Sequence, residues 1–543
     1  MSEQKKLTRK EKFSNAPVKK DSGIQNEQSN LFSKYYVWIV ALFAVVLYIN
    51  TANFDYALDD YASIIENRST QKGDLKEIFK TSYRYGSYMA SDELYRPIPK
   101  SIFAIQWSLS PNNPHLAHWT NILLYALLAV VVFNFCKRIF NGNLLHSFLA
   151  SLLFISFPIH TEAVANIKSV DEISSMLLGF LALNKFYDYL LNKKILQVVL
   201  SILFFVLSLL CKESSITLLA ILPLLVYYFD EGKFKEYLMV FLSFAGITIL
   251  YFLVRSNVYG IIPLGTLPSS SDNLLVKGIG SIERYTSAIY FLGLYLFRIV
   301  IPVGLTFDAS FPQLSLVGIG SMEFLTSFVV LLLLFSVAVY GIVKKELYGF
   351  ALMFFFVTAS VSSNIFTLIG TQYGERLMFI PSMGIALAAV VSLSKIDFKQ
   401  LSGLVIVVSL IYGFITIQRN VVWENNETLY RSGLITAPNS ARTNYYLGNF
   451  LIKENRLAGK SEAEQKIILN EGISYLKKSA ELTPYFSDAW DQMGLAYMRL
   501  KDYKSSRNAF LFALNNNGND PKINNNYGNL LFNVNQPDSA LFY

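Results

Sequence analysis

The chain has 543 residues, of which 53% are hydrophobic and only 16% charged, against roughly a quarter charged in ordinary soluble proteins. That excludes a single soluble globule. Forty-seven Lys and Arg against thirty-nine Asp and Glu leave a formal charge of +8, which could mean nucleic acid or an anionic membrane surface until its distribution is known. Cys136 and Cys211 both lie in apolar runs and only four histidines are present, so no disulfide framework or CxxC site is predicted.

Residues 1–34 read as a disordered cytoplasmic tail with eight basic and four acidic residues. The polar stretch before the first apolar run argues against a cleaved signal. A bilayer core about 30 Å thick needs roughly 20 apolar residues per helix. The first such run is uncharged between Lys34 and Asp55. Further runs lie at 119–135, 144–158, 173–191, 195–210, 214–229, 237–254, 285–305, 324–343, 348–368, 377–393 and 401–417, twelve candidates in all.

The positive-inside rule places the basic tail in the cytoplasm and the segment from Asp55 outside. By alternation Lys137/Arg138, Lys193/Lys194 and Lys233/Lys235 fall inside. If 285–305 crossed, Lys344/Lys345 and Lys395/Lys399 would face outward, against the rule. Arg298 within that run favours a re-entrant or cavity-side segment, because an intramembrane arginine faces protein or water. Eleven crossings are therefore expected, with everything after Ile417 outside the cytoplasm.

The expected fold class is all-α: a polytopic helix bundle over 35–420, with an external loop at 55–118, and then a repeat domain over 421–543. Gly494 recurs as Gly528 and Ser506 as Ala540, a period of thirty-four. Trp490, Met493, Gly494, Tyr497, Phe510 and Ala513 fit a tetratricopeptide helical hairpin. An earlier unit carries Leu447, Gly448, Leu476 and Pro484, with a twelve-residue insertion expected near 456–468. The chain ends at Tyr543 within a third unit, which reads as a truncated array. A simple helical hairpin domain is the alternative. Either would bind protein or peptide.

Candidate chemistry begins at Asp59 and Asp60, adjacent carboxylates just beyond the first helix. Their mutual repulsion is expected to raise one pKa and suit it to general-base work on a hydroxyl. His160, Thr161, Glu162, Asn166, Lys168, Asp171 and Glu172 form a second polar cluster, where charges at a helix entrance imply a cavity or water. Lys212 and Glu213 sit between two apolar runs, either as a neutralised pair or with the lysine on a lipid phosphate. Arg96, Arg255 and Arg376 complete a set of outer-face cations that could stabilise phosphate charge. No P-loop, GxSxG, HExxH or GxGxxG motif is present. His115 and His118 lack a third metal ligand and read as interfacial residues.

Leu58-Asp59-Asp60, Tyr95-Arg96-Pro97, His160-Thr-Glu162-Ala-Val-Ala, Lys212-Glu213 and Glu375-Arg376-Leu-Met-Phe-Ile-Pro381-Ser382, in this order and with repeats after them, resemble the transmembrane and tetratricopeptide-repeat O-mannosyltransferase family of GT-C membrane glycosyltransferases. The resemblance implies eleven helices, a catalytic acid in the first external loop, a polyprenyl-phosphate-linked sugar donor and an external repeat domain. It further implies Asp59 as base with Asp60 supporting it. Glu162 would orient acceptor or sugar, and Lys212, Arg376 and Arg96 would hold the donor phosphate. Asp171 and Glu213 join these as binding-site candidates. Where relatives often carry Arg-Ala-Asp after the His-x-Glu element, this chain has Lys168-Ser-Val-Asp171-Glu172.

The expected function is transfer of a sugar, mannose by the resemblance, from the polyprenyl-phosphate donor to Ser/Thr hydroxyls of proteins held by the repeats. A divalent metal is compatible with this but not implied. Membrane lipid is an expected partner and nucleic acid is not. The expected location is a bacterial inner membrane, or the endoplasmic reticulum membrane in a eukaryote. The competing readings are a non-enzymatic membrane scaffold for envelope assembly and a lipid-linked precursor flippase or polymerase. From Trp423 onward there are thirteen basic and twelve acidic residues. The charge surplus therefore belongs to the tail and membrane part, and records topology rather than nucleic-acid binding.

Overall fold

The computed structural model describes residues 34–87, 94–230, 234–259, 273–393 and 397–543. The predicted tail, apart from Lys34, and Lys233 and Lys395 lie outside them. The described residues are helical and contain no β-strand, only an isolated bridge between Pro312 and Ser440. The longer helices are α1 (Tyr36–Tyr48), α2 (Pro97–Leu109), α3 (Pro114–Ile139), α4 (Leu144–Ser156), α5 (Val170–Asn192), α6 (Ile195–Cys211), α7 (Ile221–Phe229), α8 (Leu238–Tyr259), α9 (Ile282–Val300), α10 (Met322–Val343), α11 (Leu347–Ala359), α12 (Ser382–Leu393) and α13 (Phe398–Asn420). Then come α14 (Asn426–Thr436), α15 (Ala441–Leu451), α16 (Glu462–Leu482), α17 (Ser487–Arg499), α18 (Tyr503–Asn516) and α19 (Pro521–Asn533).

Each apolar run of the sequence coincides with one of these helices up to α13. Among the described residues, five segments are long and apolar enough to cross a membrane: Tyr36–Asn53, Pro114–Ile139, Lys235–Val258, Met322–Val343 and Lys399–Trp423. α4 and Pro158–Ala165 form a sixth, bent by 53°. The bend falls at Pro158, which lacks the N–H that would continue the helix. Such a break is tolerated at membrane depth only where protein surrounds it, and residues 158–165 are all buried. Shorter apolar helices α6, α7 (extended back to Glu213 by a 3-10 stretch), α11 and α12 join α5 and α9 in the rest of the bundle.

α9 differs from its neighbours. Both of its halves contact the loop at 365–374: Arg284 Nη2 donates to the Ile365 carbonyl at 3.4 Å, and the Gly374 N–H donates to Tyr295 Oη at 2.7 Å. Tyr295 stacks on Tyr373 at 4.5 Å, and Arg298 lies over the same ring at 4.8 Å. A 19-residue helix is about 28 Å long, so this one lies lengthwise along a single loop.

α10 and α11 approach as closely as backbones allow. A Cβ on Gly341 would sit 2.6 Å from Gly349 Cα, and small residues permit such contacts within a membrane. Gly341→Leu is therefore expected to cost about 1–3 kcal/mol, measured as a lowered thermal midpoint of the full chain in detergent.

In the C-terminal region α15 packs on α16 and α17 on α18 as antiparallel pairs, and α19 meets the short helix Pro537–Ala540. The small residues read from sequence make the close approaches: a Cβ at Gly448 would lie 2.7 Å from Leu476, and one at Gly494 2.7 Å from Phe510. The extra residues between α15 and α16 form the short helix Glu454–Leu457 and lengthen α16 to 21 residues. Ser461 and Glu464 close a capping box at its start, which fixes where the helix resumes.

Candidate active site

The segment after α1 is tied on one side to the bundle and on the other to the C-terminal helices. The Ala57 N–H donates to Asp60 Oδ2 at 2.9 Å, and the Lys168 N–H donates to Asp60 Oδ1 at 2.7 Å. The buried Asp60 thus clamps the acidic loop to the 3-10 turn Ile167–Ser169. Leu58 adopts φ +51, the left-handed region that costs a side-chain-bearing residue on the order of 1 kcal/mol. Its N–H donates to Asn426 Oδ1 at 2.7 Å, and the Asp55 N–H donates to the Glu424 carbonyl at 2.9 Å.

This geometry presents Asp59 at the site. Its side chain is 25% exposed, and Oδ2 lies 3.3 Å from Arg376 Nη1. The same guanidinium nitrogen reaches Glu162 Oε1 at 3.2 Å, and the Arg376 N–H donates to Glu162 Oε2 at 3.0 Å. Glu162 is buried on the re-entrant turn after Pro158. Asp59 and Glu162, which stand 317 and 214 positions before Arg376, therefore meet on its guanidinium.

The two adjacent carboxylates differ sharply, but not mainly through mutual repulsion. Burial is the principal cause that pushes Asp60 up to about 7, with the Asp59 charge a lesser contribution. Burial also opposes ionisation of Asp59, yet Arg376, then Arg84, Lys168 and Arg442, outweigh it and hold Asp59 down at about 2. Proton linkage gives the sign for Asp60. Between its unfolded value near 3.9 and about 7 the folded chain keeps a proton that the unfolded chain has lost. Stability therefore falls as pH rises through that window, by on the order of 1 kcal/mol per pH unit. Asp60→Asn should flatten this fall, measured as denaturation midpoints in detergent between about pH 4.5 and 7.5.

Beside these residues lies a layer of paired charges. Arg96 Nη1 donates to Asp171 Oδ2 at 2.6 Å, while Nε and Nη2 grip Glu213 at 3.0 and 2.5 Å. Lys168 Nζ reaches the same Asp171 oxygen at 2.9 Å, and Lys212 pairs with the buried Glu172. A small cavity beside Lys212 and Glu172 is lined by Ser214, Thr217, Thr358 and Ser362. The cations expected to hold phosphate thus each face a carboxylate: Arg96 and Lys212 are nearly enclosed, and Arg376 opens toward Asp59. Arg255 stands on α8 over the Phe252 ring at 5.8 Å.

In the sequence Glu375 reads only as a neighbour of Arg376. In the fold it is a buried brace: it accepts from the Thr306 N–H at 2.5 Å and pairs with Arg419 at 2.7 Å, and burial pushes its carboxyl up to about 7. Asn426 gives no sequence signal, since no local pattern links it to a residue 368 positions away. His115 lies 3.1 Å from the Ala52 carbonyl and His118 3.4 Å from that of Asp55. Among the described residues no three His, Cys, Asp or Glu side chains converge as a metal-binding set.

The first helices of the C-terminal region roof this site. Ala57, Phe307, Trp423, Leu429, Leu447 and Leu451 share one apolar cluster, and Asp308 accepts from Ser440 Oγ at 2.6 Å. On the opposite side of α9 an apolar groove of about 740 Å³ opens between α9, α10, α11 and α12, lined by Tyr290, Phe297, Val330, Val337, Leu352 and Ile385 among others.

These features define the class: a multi-pass, all-helical membrane protein whose polar site is covered by a helical-hairpin region. No protein-family model matches the chain. Its curated relatives are protein O-mannosyl-transferases of the TMTC family, at about a quarter identity over most of the chain. Human "Protein O-mannosyl-transferase TMTC1" is 25% identical over 507 residues, covering 81% of this chain and 54% of that protein. The Caenorhabditis elegans protein O-mannosyl-transferase F38B6.6 is 26% identical over 428 residues, covering 76% and 59%. Human TMTC3 is 26% identical over 510 residues, covering 86% and 53%. The chain spans about half the length of the curated relatives it matches.

Proposed function

We propose that this protein is a membrane glycosyltransferase that moves mannose from a polyprenyl-phosphate donor to Ser or Thr hydroxyls of acceptor proteins on the extracytoplasmic side. The observation that carries the proposal is the partly exposed Asp59 carboxylate, set on Arg376 beside Glu162 and roofed by the C-terminal helices. The relatives' names supply the sugar and the acceptor class.

Asp59 takes the acceptor hydroxyl proton as the oxygen attacks the anomeric carbon. The bond from that carbon to the phosphate oxygen breaks, and its electron pair leaves on polyprenyl phosphate, inverting the centre. Arg376 stabilises the phosphate charge, as a fixed guanidinium does best in a site closed to water. Phosphate competing for Arg376 weakens its hold on Asp59 and raises the Asp59 pKa, making it a better base when donor is bound. Glu162 keeps Arg376 oriented, with the paired layer around Arg96 and Lys212 supporting it. The groove beside α9 suits the isoprenoid chain, being mostly apolar, with Glu323, Thr326, Ser327 and Ser392 among its lining residues. The C-terminal hairpins, read as tetratricopeptide repeats, hold the acceptor.

The eleven-crossing topology, which rests on the distribution of basic residues between the apolar runs, puts the repeats outside. A reporter fused after Ile417 that proved cytoplasmic would overturn that sidedness. The activity is tested by incubating the purified chain with polyprenyl-phosphate mannose and a Ser/Thr-rich acceptor. Mannosylated product from wild type, absent from the Asp59→Asn/Asp60→Asn double variant, is expected. Equal product from both would remove Asp59 and Asp60 from the mechanism, and no product from wild type would favour a scaffold.

A further inference from the structure

Leu58, the residue before Asp59, holds a left-handed backbone at φ +51 although it is not glycine. A strained conformation of this kind persists only where its surroundings fix it. The strongest local tie comes from outside the membrane bundle: the Leu58 N–H donates to Asn426 Oδ1 at 2.7 Å. Asn426 is itself buried, at the first position of α14. The side chain of Asn425 caps that helix in a capping box with Thr428, so the asparagine is presented on a rigid element. The Asp55 N–H bonds the Glu424 carbonyl, and Ala57 packs against Trp423 and Leu429. On the bundle side Asp60 accepts from the Lys168 N–H and Asp59 pairs with Arg376, but neither bond reaches the Leu58 amide.

We propose that Asn426 is a positioning residue for Asp59, and hence that the C-terminal helical region completes the transfer site in addition to any acceptor binding. This rests on the transfer reading above for its kinetic consequence, but not for its structural one. Asn426 Oδ1 is the acceptor that satisfies the Leu58 amide, and losing it leaves that N–H unpaired beneath α14. The backbone then relaxes toward ordinary φ, and Asp59 turns away from Arg376. Because the helix bearing Asn426 also begins the repeat region, displacement of that region from the bundle would carry the same signal to Asp59.

The test uses the full chain in detergent, comparing wild type with Asn426→Ala and Asn426→Asp, the second of which keeps an acceptor oxygen at the same place. Amide hydrogen exchange of the peptide covering 55–62 is expected to rise about tenfold in Asn426→Ala, the loss of one buried hydrogen bond. Exchange over 440–520 should stay as in wild type. The kcat for transfer should fall about tenfold with KM for donor within about twofold, and Asn426→Asp should restore both protection and kcat. Unchanged exchange over 55–62 in Asn426→Ala overturns the proposal. Should Asn426→Ala loosen the whole repeat region, Asn426→Asp decides: wild-type protection over 55–62 upholds the proposal, and increased exchange there overturns it. If wild type itself transfers no sugar, the failure falls on the transfer reading, while the exchange comparison still decides whether Asn426 holds the loop.

Discussion

Asp59→Asn is expected to lower kcat for sugar transfer by about 10²–10⁴-fold, the usual contribution of a positioned general base, while folding and membrane insertion persist. The side chain is a quarter exposed and its partner Arg376 keeps Glu162 at 3.2 Å. With Asp59 held at about 2 against an unfolded value near 3.9, linkage puts the cost of losing this ion pair at on the order of 2 kcal/mol at neutral pH, short of unfolding the chain. The measurement is single-turnover transfer by purified chain, with thermal midpoints recorded alongside. A variant that transfers at the wild-type rate would move the base elsewhere. The pH profile has a matching asymmetry. With Asp59 held at about 2 in the free protein, kcat/KM should show no acid limb from this group above about pH 3. In the donor complex, where phosphate draws on Arg376, the acid limb of kcat should appear at higher pH.

Arg96→Met is expected to damage the fold instead. Arg96 donates one nitrogen to Asp171 and two to Glu213, and its side chain is 7% exposed. Removing it strips Glu213 of both guanidinium bonds and leaves Lys168 as the remaining partner of the buried Asp171. Uncompensated buried charge typically costs about 3–5 kcal/mol. A large drop in denaturation midpoint and loss of folded chain from membranes should result. Arg96→Lys, which keeps the charge but not the two-nitrogen fork, should fall between. Wild-type stability in Arg96→Met would show that this charge layer does not hold α2 to the bundle. The two variants separate the roles: Asp59 through rate in a chain that still folds, Arg96 through stability before any rate can be measured.

The sequence placed the helices well and their ends less well. Each apolar run became a helix because a run of that length must satisfy its backbone internally. The second run starts earlier than hydropathy indicates, because the Asn113 side chain caps the His115 N–H and Pro114 fits the first turn. The third breaks at Pro158, and that break carries Glu162 into the interior. Gly494 and Gly528, thirty-four residues apart in the sequence, both sit where the C-terminal helices approach closely, which demands small residues.

The candidate residues were legible as types but not as partners. Arg96, Lys212 and Arg376 all read as outer-face cations awaiting phosphate. Their pairing with Glu213, Glu172 and Glu162 spans 117, 40 and 214 positions, distances over which no local pattern operates. The Asp59/Asp60 pair stood out as adjacent acids beyond a membrane helix, and one pKa is raised as expected, but it is that of Asp60, while Asp59, the expected base, is held down. The cause of the pKa difference was not recoverable, because burial is a property of packing rather than of adjacency.

Periodicity and composition by themselves determined an all-helical chain, apolar segments of membrane length, the small residues at close helix contacts near the C-terminus, and the acids beyond the first helix. Tertiary structure alone decided which of two neighbouring carboxylates faces the site, which charges neutralise one another, and that Asn426 reaches back across 368 positions to hold the residue before Asp59. The physical reason is range. Helix formation and amphipathic spacing act within a few residues, whereas desolvation, ion pairing and the satisfaction of a buried amide depend on which distant segments the packed bundle brings into contact.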